Sequence, residues 1–240
     1  MDNSLQNPAI KPAKASLLPK VLASLKGAPY IPLLIIVVFV LCAILANLIT
    51  TQDAYSVQLP NRLIPPFWLE GGTLNHPLGT DPLGRDILTR IIFGARVSVI
   101  IALTALTIGG GFGTLVGLTA GFYGGKIDTL LMRFADITLA FPLILFAILL
   151  VMVLGPSMVN VIIAISLVLW ARYARVIRGE VLGLMQRDFI ARAKVSGASD
   201  WRIMMRHLLP NVMPTLIVLL TLQVGWVIIV EASLSFLGAG

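Results

Sequence analysis

Five runs of apolar residues, separated by polar segments, set the hydrophobic pattern of the chain. An α-helix rises about 1.5 Å per residue, so about 20 apolar residues can cross the hydrocarbon core of a bilayer. The first run is longer than the apolar core of about 7–15 residues in cleaved signal peptides, so it is interpreted as a retained transmembrane helix. The pattern therefore predicts an all-α, polytopic bundle of five transmembrane helices. The runs cover residues 31–49, 97–120, 137–154, 158–176 and 212–230.

The polar segments divide the chain into four parts. Residues 1–29 contain lysines and prolines and are expected to form a polar tail. Residues 30–50 hold the first predicted helix, and residues 51–96 form a long, proline-containing loop. Residues 97–240 hold the other four spans, of which the third is expected to be kinked by Pro142 near its start.

A basic loop at about 180–211 separates the last two predicted spans. Within it, apolar residues recur every three to four positions, which indicates short amphipathic helices lying on a membrane surface. Gly197 is expected to end the first helix, and either Ser199 or Asp200 to cap the second. Pro210 is expected to close the segment.

Four glycines recur at every fourth position of the second span. In an α-helix, residues with this spacing lie on one side, where a second helix can approach closely. The four are Gly109, Gly113, Gly117 and Gly121. They are expected to form a helix-packing face, either within the chain or with a partner subunit.

Composition and charge place the chain in the membrane and orient it. Hydrophobic residues make up 58% of the chain and charged residues 12%, against about 45–50% and 25% in soluble domains. The net charge of +7 does not require a nucleic-acid partner, because lysine and arginine collect beside membrane spans. Most of the 18 basic residues lie in the tail and on the side of the basic loop. The positive-inside rule therefore predicts a cytoplasmic amino terminus and a cytoplasmic basic loop.

Few residues offer catalytic, metal-binding or redox chemistry. Cys42 is the single cysteine, so no disulfide framework is expected. His76, Asp81 and Asp86 share one loop but form a weak ligand set, so no metal site is expected. A turn in which Arg85 pairs with an acid is the preferred interpretation.

No catalytic or nucleotide-binding site is expected either. The sequence Gly124-Gly125-Lys126 continues with Ile127, where a phosphate-binding loop requires serine or threonine. No paired nucleophile and base lies within a span. Arg133 and Asp136 are expected to form a local ion pair near an interface.

Glu231 is expected near a membrane edge, where its carboxylate can reach water. For that reason it is not interpreted as part of a proton relay.

Two segments outside the basic loop resemble the permeases of ABC importers for dipeptides, oligopeptides or nickel. HPLGTDPLGRD at 76–86 is similar to the H-x-L-G-T-D-x-x-G-R-D segment of that family. EASLSFLG at 231–238 is similar to a second string of the same branch. Together they extend the resemblance over roughly residues 51–240. Family members usually continue into another helix after this point, so the resemblance implies a final helix that these residues do not include.

The basic loop resembles the EAA loop of the same superfamily, whose pattern is E-A-A, three residues, G, nine residues and I-x-L-P. Gly197 is followed, after nine residues, by HLLP at 207–210. Ala191, Arg192 and His207 depart from the pattern, and the ending RHLLPN resembles the peptide and nickel branch. In that family this loop docks into a groove of a cytoplasmic ATPase.

The resemblance implies an ABC type I importer permease in the inner membrane of a bacterium or archaeon. It also implies four kinds of partner: a second permease subunit, two ATP-binding subunits, an external substrate-binding protein and membrane lipid. No cofactor is implied, because ATP is used by the partner subunits. The residues assigned to the coupling loop are Ala193, Gly197, Asp200, Trp201, Met205, Arg206, Leu209 and Pro210.

The apolar residues Trp201, Met204 and Met205 are expected to fill the groove of the ATPase, with Arg202 and Arg206 at its rim. An alternative is that Trp201 only anchors the loop in the lipid interface.

Dipeptides or oligopeptides are the expected cargo, and nickel is the alternative. A secondary transporter or channel is disfavoured, because it would call for a carboxylate or histidine in mid-span. An intramembrane enzyme is disfavoured by the absence of a catalytic motif within the spans.

Overall fold

The computed structural model describes residues 30–50 and 52–238, and the predicted tail at 1–29 lies outside them. This part of the chain is helical, with one isolated bridge between Thr80 and Asp86 and no strand. The predicted all-α membrane fold is confirmed. The helices are α1 (Tyr30–Ile49), α2 (Ile87–Tyr123), α3 (Gly125–Ala140), α4 (Leu143–Leu154), α5 (Met158–Met185), α6 (Asp188–Val195), α7 (Asp200–Ile203) and α8 (Leu209–Phe236).

The core of the bundle is formed by α2, α5 and α8, with α2 and α5 in the most extensive contact. The helix α2 begins at Ile87 rather than at the predicted residue 97, because Asp86 caps it by accepting a hydrogen bond from the Thr89 N–H at 2.8 Å. It ends at Gly124, whose φ of 61° requires a left-handed backbone. The helix α1 contacts α2 and buries only Ala43 and Ala46.

The third predicted span is broken. Instead of one helix over 137–154, α3 and α4 meet at 90° across Phe141 and Pro142. Proline lacks an N–H and disfavours the helical conformation in the residue before it, and Phe141 is extended, with φ −86° and ψ 143°. The 12 residues of α4 alone are too short to cross a hydrocarbon core of about 30 Å. Four helical segments of the described chain are long enough to span, or five if this bent pair counts as one span.

The basic loop does not end at Pro210, which corrects a second prediction. A π-helical turn, Met204–Leu208, joins α7 directly to α8. Pro210 lies in the first turn of α8, directly after the π-helical turn, and the Leu209 N–H before it donates to the Met204 carbonyl, so the proline does not interrupt the helix. The loop therefore runs into the last membrane helix as one helical segment, from Asp200 to Phe236.

Candidate functional site

Two short helices, α6 and α7, form the candidate coupling loop and are joined by a turn at Gly197. Gly197 has φ +74°, and its N–H donates to the Lys194 carbonyl at 3.0 Å. The Ala198 N–H donates to the Ala193 carbonyl at 3.1 Å, which completes a Schellman turn. The Ser199 hydroxyl accepts from the Arg202 N–H, so Ser199, and not Asp200, caps α7.

One side of this loop packs against the bundle itself. Ile190, Ile203, Met204 and Leu208 are buried in the core, so the expectation that Met204 faces an external groove is wrong. The amphipathic pattern identifies the apolar side of the loop, but it does not show which of these residues are buried against the rest of the chain. The partly buried residues that pack against the core are Phe189, Ala193, Ala198, Met205 and Leu209.

The other side of the loop exposes two large apolar residues. Trp201 is 65% exposed, and Val195, at the end of α6, is 90% exposed. Val195 was not predicted from the sequence, because it lies off the spacing of the buried positions. An apolar residue out of phase with such a stripe is the signal that could have found it. Gly197, Asp200, Arg206 and Pro210 are also exposed.

The loop also exposes basic residues close in sequence to Val195 and Trp201. Arg192, Lys194, Arg202 and Arg206 are exposed, so the loop presents a basic surface. The Lys194 ammonium also lies 5.6 Å from the centre of the Phe122 ring, which places α6 beside the end of α2.

The four glycines of α2 lie against α5. An added Cβ atom would lie 3.0 Å from the Ser166 carbonyl oxygen at Gly109 and 2.3 Å from the Trp170 carbonyl oxygen at Gly113. These glycines therefore allow the backbones of α2 and α5 to approach. At Gly117 the added atom would lie 2.6 Å from the Ala174 carbonyl oxygen, and at Gly121 it would lie 2.7 Å from Cγ1 of Val181.

Polar side chains connect the half of α5 nearer the coupling loop to α3. Arg178 forms a bidentate ion pair with Asp128, in which Nη2 donates to Oδ2 at 2.6 Å. Asp136 pairs with Arg175, which corrects the predicted pair between Asp136 and Arg133. That prediction considered neighbours in sequence, whereas the observed partner lies on another helix.

Two further polar contacts join α5 to α8. The Thr215 hydroxyl donates to Oε1 of Glu180 at 3.0 Å. With its side-chain amide in the orientation that satisfies both groups, Gln223 accepts from Nη1 of Arg172 at 3.0 Å. The end of α5 that leads into the coupling loop is thus attached to two neighbours.

The loop before α2 is organised around Asp81. Its carboxylate accepts from the backbone N–H groups of Leu83 and Arg85 and from the side chains of Arg85 and Arg90. Desolvation of the carboxylate opposes ionisation, but these donors outweigh it and lower the pKa of Asp81 to about 2. The predicted pairing of Arg85 with an acid is confirmed at 2.7 Å.

The other two metal candidates are engaged with each other. His76 Nδ1 lies 3.1 Å from Oδ1 of Asp86, and both side chains are buried. Because Asp86 also caps α2, this pair ties the loop to the start of that helix. Gly84 in the same motif has φ +74°, and an added Cβ would lie 1.8 Å from the Gln58 carbonyl oxygen. The described geometry thus gives the motif a structural role.

Glu231 is buried, which corrects the expectation that it reaches water. It is 5% exposed and lies in α8. The Ser98 hydroxyl of α2 donates to Oε2 at 2.7 Å, and the Ser235 hydroxyl donates to Oε1 at 2.9 Å. The carboxyl group therefore joins α2 to α8 inside the bundle.

Comparison with known proteins agrees with this architecture. Residues 113–240 match the family described as binding-protein-dependent transport system inner membrane component. The dipeptide transport system permease protein DppC of Alkalihalophilus pseudofirmus is 43% identical over 87% of this chain and 66% of its own length. The di/tripeptide transport system permease protein DppC of Pseudomonas aeruginosa is 41% identical over 87% of this chain and 69% of its length.

A glutathione transport system permease protein, GsiD of Escherichia coli, is 42% identical over 86% of this chain and 67% of its length. The chain thus spans about two thirds of the length of these relatives. The long apolar helices and the family match at residues 113–240 both indicate a multi-pass protein of the inner membrane. The chain belongs to the family of inner membrane components of binding-protein-dependent transport systems, in its peptide-permease branch.

Proposed function

We propose that this chain is a permease subunit of an ATP-driven importer that takes up dipeptides or short peptides. The observation that carries the proposal is the coupling loop, which exposes Trp201 and Val195 and joins the bundle through α5 and α8. An exposed aromatic residue on a loop with exposed lysine and arginine residues suits a groove that has an apolar centre and an acidic or polar rim.

The loop is built to pass a displacement to the membrane helices. At one end, only Gln186 and Arg187 separate α5 from α6. At the other end, the π-helical turn connects α7 to α8 without an interruption. Movement of the loop on a partner would therefore move α5 and α8, both of which pack against α2.

The energy for transport would come from separate subunits. The sequence contains no phosphate-binding loop with a lysine followed by serine or threonine, so we assign ATP hydrolysis to two cytoplasmic partners. The amino terminus and the coupling loop would face the cytoplasm, in keeping with the distribution of lysine and arginine. A second permease would complete the pathway, and an external binding protein would deliver the cargo.

Peptides are the favoured cargo, because the named relatives transport dipeptides, tripeptides or glutathione. Nickel was the alternative suggested by the sequence resemblance. Uptake of a labelled dipeptide and of nickel by a strain lacking this gene, with and without the gene restored, separates the two. Restored dipeptide uptake that requires ATP is expected, whereas restored nickel uptake alone would contradict the assignment.

The same strain tests the coupling loop. Trp201→Ala is expected to weaken binding of the ATP-binding subunits by about 2 kcal/mol or more, as at other aromatic anchors. Leu145→Ala, a control at an exposed apolar residue of α4, should leave co-purification of those subunits unchanged. Equal co-purification with both variants would contradict docking through Trp201.

A further inference from the structure

The bent helix pair α3–α4 is attached to the rest of the chain in an unusual way. Much of the apolar surface of α3 faces away from the bundle, including Ile127, Leu130, Phe134 and Ile137. Ala135 is its one buried residue. The charged contacts between α3 and the bundle are the two ion pairs to α5. The contacts of α3 with α2 and α5 thus include two ion pairs and little buried apolar surface.

The pair between Asp128 and Arg178 is the better fixed of the two. It is bidentate, and the Asp128 side chain is only 14% exposed. A guanidinium that meets a carboxylate through two N–H donors fixes both distance and orientation. In the pair between Asp136 and Arg175 both side chains are more exposed, so this pair contributes less to holding α3 against α5.

The position of the two arginines on α5 connects the ion pairs to the coupling loop. Arg175 and Arg178 lie one turn apart on α5, in the half of that helix that leads into the coupling loop. Any rotation or shift of this part of α5 would change the position of both guanidinium groups. Because α3 is held by those groups, it would move with α5.

We propose that Arg178, assisted by Arg175, is a positioning residue that makes the bent pair α3–α4 follow the movement of α5 during transport. This proposal rests on the proposed function, because the movement of α5 is assigned to docking of the coupling loop. It assigns to the ion pairs a role in coupling ATP hydrolysis to uptake, beyond holding the fold together.

A charge exchange tests the proposal in proteoliposomes that contain the full transporter and its binding protein. Asp128→Arg and Arg178→Asp should each lower dipeptide uptake about tenfold, because like charges then face each other. ATP hydrolysis should persist, so fewer peptides enter per ATP. The double variant, with the charges exchanged, should recover most of the uptake. Lys126→Glu, a charge reversal at an exposed position of α3, is the matched control and should behave as the wild type.

Milder variants cover the case in which the reversed charges prevent assembly. Arg178→Lys keeps the charge but loses the bidentate contact, and Asp128→Asn keeps the size but loses the charge. Both should assemble and show a lower ratio of uptake to ATP hydrolysis. Wild-type ratios in these variants, or a double exchange that assembles but recovers nothing, would overturn the proposal. A wild-type chain that neither binds the ATP-binding subunits nor supports ATP-dependent uptake would instead contradict the proposed function.

Discussion

Gly113 lies so close to Trp170 that a Cβ atom added to the glycine would be 2.3 Å from the tryptophan carbonyl oxygen. The obstacle is backbone, which cannot rotate away as the end of a flexible side chain can. Close approach of α2 and α5 therefore depends on the absence of a side chain at this position. The two helices make the most extensive contact in the described part of the chain, so this position bears on the stability of the whole bundle.

The first prediction concerns that contact. Gly113→Ala should lower the free energy of unfolding by about 1–3 kcal/mol, the range found for overpacked interiors. The measurement is denaturant-induced unfolding of the purified chain in detergent. Gly111→Ala is the matched control, because it lies on the same helix with no atom within 4 Å of its added Cβ. If both variants lose the same stability, the loss does not come from a clash between the side chain at position 113 and α5, and the prediction is contradicted.

The second prediction concerns the turn of the coupling loop. An added Cβ at Gly197 would meet no atom within 4 Å, so the cost of a side chain comes from the backbone, at φ +74°. Gly197→Val should strain the turn by about 1–2 kcal/mol and lower uptake while leaving membrane insertion intact. Gly197→Asn should lower uptake less, since asparagine tolerates a left-handed backbone.

Gly183→Ala is the control for this variant, because this exposed glycine of α5 also has open space around it and no positive φ. It should transport normally. Normal uptake by Gly197→Val would show that the turn does not require glycine.

The third prediction is a pH dependence at Asp81. Its pKa is lowered from 3.8 to about 2 in the folded chain, so the ionised carboxylate stabilises the loop above about pH 4. This stabilisation should disappear as the pH falls from about 4 to 2. Asp81→Asn should be less stable than the wild type at pH 7, and the difference should vanish towards pH 2. Thermal unfolding of both proteins across that range measures it, and a pH-independent difference would contradict the assignment.

The fourth prediction concerns the buried carboxyl group of Glu231. Glu231→Ala removes the buried acceptor of the hydrogen bonds from the Ser98 and Ser235 hydroxyls, each worth about 0.5–1.5 kcal/mol of net stability. Glu231→Gln keeps an acceptor and adds a donor, so it should cost less. Unfolding in detergent compares the two, and Ser98→Ala should remove most of the difference between them. Equal destabilisation by alanine and glutamine would show that hydrogen bonding is not what Glu231 contributes.

The sequence predicted those features that depend on short stretches of chain. The first span and the start of α5 at Met158 follow from local hydropathy, and the Gly197 turn lies between two amphipathic runs. Pro142 indicated a kink in the third span, but the high hydropathy over 137–154 predicted one continuous span and did not show that the helices turn through 90°.

Features that depend on distant partners could not be predicted in the same way. Glu231 is buried because Ser98, 133 residues earlier, meets it on another helix. Asp136 pairs with Arg175, 39 residues away, in preference to Arg133 on its own helix. The periodicity of the coupling loop also treated Met204 and Trp201 alike, although one is buried in the bundle and the other is exposed.

The central claim is that the coupling loop docks a separate ATPase, and site-directed crosslinking tests it most directly. Single cysteines are placed at Val195, Ala198 and Trp201 after Cys42 is replaced, with a cysteine at exposed Thr73, in the loop before α2, as the control. Docking predicts adducts with the ATP-binding subunit from the three loop positions, none from Thr73, and a change in the adducts when ATP is trapped. If Trp201 serves only to anchor the loop in lipid, no adduct forms at any position, and that result would contradict the account.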